Sequence, residues 1–133
     1  MVSPSTTQEA PMPDPNFVIL YVADPRRSVA FWSEILGHDP IEVADTFAML
    51  PLTGGVMLGL WSHRTLAPAA GAAPGGSEIA ITVADAAAVD ATHAAWVAKG
   101  VPVLLPPTDL DFGRSFVAAD PDGHRLRVMA LAE

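Results

Sequence analysis

Four histidines, fifteen carboxylate side chains and no cysteine set the range of chemistry open to this 133-residue chain. Without a thiol there is no thiolate nucleophile, no Cys-ligated zinc or iron-sulfur site and no disulfide. His38, His63, His93 and His124 stand singly, and no pair has the spacing of a metal-ligand motif. Serine, histidine and aspartate occur without a spacing that singles out a triad, and no hydrolase elbow, phosphate loop or dinucleotide fingerprint is present. Gly54-Gly55 and Gly75-Gly76 are too isolated to cradle a phosphate. Asp120 and Asp122 belong to the turn Asp120-Pro-Asp-Gly123, where such side chains bond their own backbone. What remains is apolar chemistry: aromatic rings and thioethers (Phe17, Tyr21, Phe47, Met49, Met57, Trp61, Phe112, Phe116, Met129) suited to stacking on flat molecules.

An internal repeat positions these residues. Phe17-Val-Ile-Leu-Tyr-Val-Ala-Asp24 and Glu78-Ile-Ala-Ile-Thr-Val-Ala-Asp85 end alike. Each octet is apolar at alternate positions (Val18, Leu20, Val22; Ile79, Ile81, Val83), as in a strand with one face in the core. The opposite faces carry Phe17, Ile19 and Tyr21 in the first copy, and Glu78, Ala80 and Thr82 in the second. Each strand runs into an aspartate suited to cap a helix, with Pro25 at the first helical position of the first copy. Val29, Trp32, Ile35 and Leu36 stripe the first helix, which Gly37 ends; Val89, His93, Trp96 and Val97 stripe the second, which Gly100 ends.

Three short strands follow each helix, near Ile41 to Val43, Thr46 to Leu50 and Val56 to Trp61, and again near Val103 to Leu105, Arg114 to Ala119 and Arg125 to Ala130. Pro106 to Gly113, with Asp109, Asp111 and Phe112 and followed by Arg114, reads as a long loop, either a cover over a binding site or a plain surface connection. The small, uncharged run Ala67 to Gly76 reads as a linker.

The bulk properties fit one domain, since a chain of this length can bury a core without staples. Half of the residues are apolar and the mean hydropathy is +0.33. The uncharged stretch Thr46 to His63 contains Pro51, Gly54, Gly55 and Gly59, which suits strands and a turn rather than a membrane span. A net charge of −8 repels phosphate backbones, so no nucleic acid and no membrane is expected as partner. Residues 1–15 lack the basic and then apolar runs of a signal peptide, so a flexible N-terminus and a cytoplasmic location are expected.

Two βαβββ units, Val-Ala-Asp24 before the first helix, Phe31-Trp-Ser-Glu-Ile-Leu-Gly37 closing it and Asp120-Pro-Asp-Gly123 before the last strand resemble the vicinal oxygen chelate superfamily. That group includes glyoxalase I, extradiol dioxygenases and bleomycin-resistance proteins. The resemblance implies an α+β fold of paired, edge-sharing cupped sheets with a helix on each. It divides residues 16–131 into module 1 (16–62), a linker (63–76) and module 2 (77–131), and implies a homodimer whose sheets close around a cavity.

The superfamily's enzymes hold a divalent metal on the first and last strand of each module. Those positions match Phe17, a place at or beside Gly59, Glu78 and Arg127, which leaves a single carboxylate, so neither a catalytic metal nor another cofactor is expected. The cavity is expected to present Phe17, Ile19, Tyr21, Phe47, Met57, Trp61, Glu78, Thr82, Phe112, Arg114, Arg127 and Met129. The competing reading makes the aromatics core and Glu78–Arg127 a structural ion pair. The functional expectation is a protein that binds or sequesters a small aromatic or cationic, antibiotic-type molecule. The alternatives are a metal-dependent lyase, isomerase or dioxygenase, and a metal-free acid/base enzyme using Glu78.

Overall fold

The computed structural model describes residues 14–69 and 73–132. Most of the expected flexible start and part of the expected linker therefore lie outside the described residues. The first half runs β1 (Phe17–Val22), α1 (Pro25–Leu36), β2 (Glu42–Val43), β3 (Phe47–Pro51) and β4 (Met57–Ser62). The second runs β5 (Glu78–Thr82), α2 (Ala86–Ala98), β6 (Val103–Leu110), β7 (Gly113–Ala119) and β8 (Arg125–Leu131). Each half builds its own four-stranded mixed sheet, in the orders β1-β4-β3-β2 and β5-β8-β7-β6. The first strand of each module lies at a sheet edge, parallel to the last. The architecture is α+β, two βαβββ modules.

Local chemistry accounts for these elements. Asp24 caps α1 by accepting from the backbone N–H groups of Arg26 and Arg27, Pro25 occupies the first turn, and Gly37 ends the helix in the left-handed region. Asp85 caps α2 through the Ala88 N–H. Alternation in β1, β3, β4 and β8 sends Leu20, Val22, Ala48, Leu50, Leu58, Leu60, Leu126 and Val128 into one continuous core that also holds Trp32, Trp96 and Phe116.

Two sequence expectations are corrected. Pro106 to Leu110 is not a loop: β6 runs on to Leu110 and turns at Asp111-Phe112 into β7. Its two prolines are accommodated because β6 is an edge strand whose register against β7 shifts on both sides of Leu105. Val97 leaves the α2 stripe and is half exposed, because Val89 and Trp96 already face the sheet.

The modules are joined through the Asp120–Gly123 turn rather than by a shared strand edge. Asp120 is buried; its Oδ1 accepts from the backbone of Asp122 and His124, and its Oδ2 accepts from Trp32 Nε1 of α1 at 3.2 Å. His124 Nε2 lies 2.9 Å from the Tyr21 carbonyl, and Asp122 Oδ1 accepts from the Ala23 N–H. Arg27 reaches the Pro121 carbonyl. The turn therefore closes its own backbone and clasps the end of β1 and the buried tryptophan of α1. Burial raises the Asp120 carboxyl above the usual aspartate value, although neighbouring His124 and the hydrogen bonds to the carboxylate pull the other way.

Candidate functional site

Each sheet has a helix on one face and leaves the other open. On the open face of the first sheet, strand register sets Phe17 beside Met57, Ile19 beside Gly59 and Tyr21 beside Trp61, with Pro51, Met49 and Phe47 completing the three rows from β3. Phe17, Ile19 and Tyr21 remain 42 %, 42 % and 43 % exposed. Gly59 makes this surface possible. A Cβ there would lie 2.7 Å from Phe17 Cε1 and 3.0 Å from Phe47 Cζ, so the two rings lean over the bare glycine and would have to shift to admit a side chain. Phe47 meets Trp61 edge to face at 6.2 Å and lies tilted against Phe17 at 6.5 Å. The result is a continuous apolar wall of three rings, an isoleucine and two thioethers, bordered by Tyr21.

The open face of the second sheet is polar at its centre. Ala80 pairs with Arg127, Thr82 with Met129 and Glu78 with Arg125. Arg127 Nε and Nη2 donate to the two oxygens of Glu78 at 3.0 and 3.4 Å, and Nη1 donates to Ser115 Oγ at 3.1 Å. Phe112, from the β6–β7 turn, places its ring 6.0 Å from the guanidinium carbon.

Eleven of the twelve expected cavity residues fall on these two surfaces or, for Phe112, against one of them. Arg114 does not. It lies on the helix side of β7, where it donates to Asp90 of α2 at 2.9 Å and to Asp109 at 3.0 Å; these partners, Asp90 first, hold its guanidinium more firmly charged. Strand alternation explains the difference, because Ser115 and Val117 take the open face and Arg114 and Phe116 the other. Phe116, one of the rings suited to stacking, is fully buried between His93 and Trp96. Sequence reasoning missed Ser115, whose signal is a hydroxyl between Gly113 and Val117 on its face of β7, directly across from Met129 and diagonal to Arg127.

Among the described residues, two clefts lie away from these faces. One runs between Phe31, Glu34 and Ile35 of α1 and the Lys99–Pro102 segment; the other involves Arg114, Asp109 and the start of α2.

Residues 15–128 match the family model of the Glyoxalase/Bleomycin resistance protein/Dioxygenase superfamily. The chain belongs to this superfamily. A relative from Enterobacter agglomerans, the phenazine antibiotic resistance protein EhpR, is 32 % identical over 130 residues, covering 95 % of this chain and 98 % of that protein. The solution structure of an Agrobacterium tumefaciens protein is 48 % identical with a TM-score of 0.82, over 92 % of this chain and 100 % of that one. A glyoxalase/bleomycin resistance protein/dioxygenase from Nocardioides shares the fold at 24 % identity and a TM-score of 0.79, covering 94 % and 87 %.

The superfamily fold implies a divalent metal in its enzymes, and the side chains here do not fit one. Phe17 and Gly59 offer no donor, Arg127 brings a fixed positive charge, and the Glu78 carboxylate is already held by that guanidinium. Among the described residues no three His, Asp or Glu side chains gather in a way that could hold a metal.

Proposed function

We propose that this superfamily member binds a small, planar, aromatic molecule of antibiotic type and sequesters it, without a metal, in a cavity closed by two copies of the chain. The aromatic wall carries the reading. Phe17, Phe47 and Trp61 give a flat ligand ring surfaces, and Met49 and Met57 add soft contacts that tolerate varied shapes. Rings buried for packing alone would not be left open on a sheet face, and the exposure of Phe17, Ile19 and Tyr21 favours a partner surface for them. The homodimer supplies that surface by setting the second module's open face opposite the wall. The resistance protein that is 32 % identical supports a ligand of this class.

The test is a titration of planar aromatic antibiotics, a phenazine included, against intrinsic tryptophan fluorescence. Trp61 is the tryptophan on the wall, whereas Trp32 and Trp96 are buried. The expected result is saturable quenching that is largely lost in Trp61→Phe. No saturable response from any compound, with Trp61 intact, sinks the proposal.

A further inference from the structure

Arg127 carries more hydrogen-bonding capacity than its neighbours use. A guanidinium has five N–H donors. Nε and one Nη2 hydrogen go to Glu78 and one Nη1 hydrogen goes to Ser115, which leaves two, one on each terminal nitrogen, for which no acceptor appears among the described residues. The side chain is only 19 % exposed, so these donors sit at the floor of the open face rather than in bulk water. The group is also held still, by a two-point contact to Glu78, by fully buried Ser115 and by the Phe112 ring. A planar donor fixed in this way recognises an acceptor with little ordering cost.

The charge of the pair narrows the acceptor. Glu78 already compensates Arg127, and Arg125 across from Glu78 is exposed and screened by solvent, so an anionic ligand at Arg127 would bring a second negative charge beside Glu78, into a chain of net charge −8. A cationic head would face the unused N–H donors, with the Glu78 carboxylate already engaged. An uncharged acceptor meets neither obstacle.

We infer that Arg127 is the polar anchor of the ligand site and reads an uncharged hydrogen-bond acceptor, a ring nitrogen or a carbonyl, at the edge of a planar aromatic molecule. This rests on the reading of the aromatic face as the ligand wall, and of the expected aromatic or cationic ligands it favours an uncharged aromatic one. Glu78 and Ser115 act as positioning residues that hold the guanidinium.

Three tricyclic probes of similar outline test it, through quenching of the wall tryptophan in the intact protein: phenazine, with two ring nitrogens; anthracene, with none; and phenazine-1-carboxylate, with an added anion. Phenazine is expected to bind about tenfold tighter than anthracene, the size of one hydrogen bond to a charged donor, and the carboxylate no tighter than phenazine. In Arg127→Met, and in the double variant Glu78→Gln/Arg127→Met that leaves no unpaired carboxylate, the preference should fall below about twofold with anthracene binding unchanged. Equal binding of phenazine and anthracene to the wild-type protein overturns the inference while leaving the wall reading intact. So does a preference that survives the loss of Arg127, or a carboxylate that binds about tenfold tighter than phenazine. If no probe binds, the wall reading fails and this inference with it. The wild-type comparison decides the matter even if both variants fail to fold.

Discussion

Gly59 and Gly113 are both places where a side chain would collide, and the identity of the obstacle separates a functional glycine from a structural one. At Gly59 the obstacles are the far ends of the Phe17 and Phe47 rings, which can swing aside. At Gly113 they are backbone atoms, the Ala130 carbonyl oxygen first, and φ is +139°. Gly59→Ala should therefore fold with a stability change within about 2 kcal/mol, because ring displacement is partly offset by lower entropy of the unfolded chain. Its affinity for a planar ligand should fall about tenfold, since stacking geometry is lost. Gly113→Ala should lose about 3 kcal/mol or more, because the strand pair itself must separate. Urea unfolding and fluorescence titration of both variants check the contrast. A Gly59→Ala protein that binds as well as the wild type would show that the rings do not act as a surface.

The turn between β7 and β8 bonds backbone groups as the sequence suggests, but its larger role lies in contacts that no local pattern announces. Trp32 sits in the apolar stripe of α1 and reads as core, which it is, yet its indole N–H reaches Asp120 across 88 positions of sequence. Removing that donor in Trp32→Phe leaves one oxygen of a buried carboxylate short of a partner and opens a small void, so about 2–4 kcal/mol should be lost in urea unfolding. Asp120 also predicts a pH dependence. Its carboxyl is raised in the fold by burial, so its contribution to stability is fully present below the ordinary value of 3.8 and is lost as pH rises through the raised value. Asp120→Asn does not ionise. The wild-type advantage over it should thus be largest in acid and narrow as pH rises; an advantage that grows with pH would contradict the burial argument.

The same division explains how far the sequence could be read. Alternation and caps are local, and they placed β1, both helices and the open faces. The extension of β6 through Pro106-Pro107 was hidden, because only the edge position and the shifts against β7 make two prolines tolerable there. The side taken by Arg114 follows from where β7 begins, and a one-residue change of register inverts every facing.

Taken as a unit, the described residues present two unlike open faces and unpaired edges at β1 and β5, an arrangement that a second copy can complete. Phe17, Val18, Ile19 and Tyr21 put 40 % or more of their surface outward along a single edge strand, which favours apolar contact. Charge opposes it, because each copy carries −8. These two terms respond oppositely to salt. Screening shortens the reach of the repulsion to about 8 Å at physiological ionic strength and further above it, whereas apolar burial is not weakened. Sedimentation should therefore show a species of twice 13.9 kDa whose dissociation constant falls as sodium chloride is raised, and falls again with a bound planar ligand. Ile19→Glu, which sets a carboxylate into the wall at the edge, should shift the equilibrium toward single chains and remove ligand binding together. A dimer that dissociates on adding salt would point to ion pairs as its cement. A single chain that binds ligand with full affinity would show that the cavity needs no second copy.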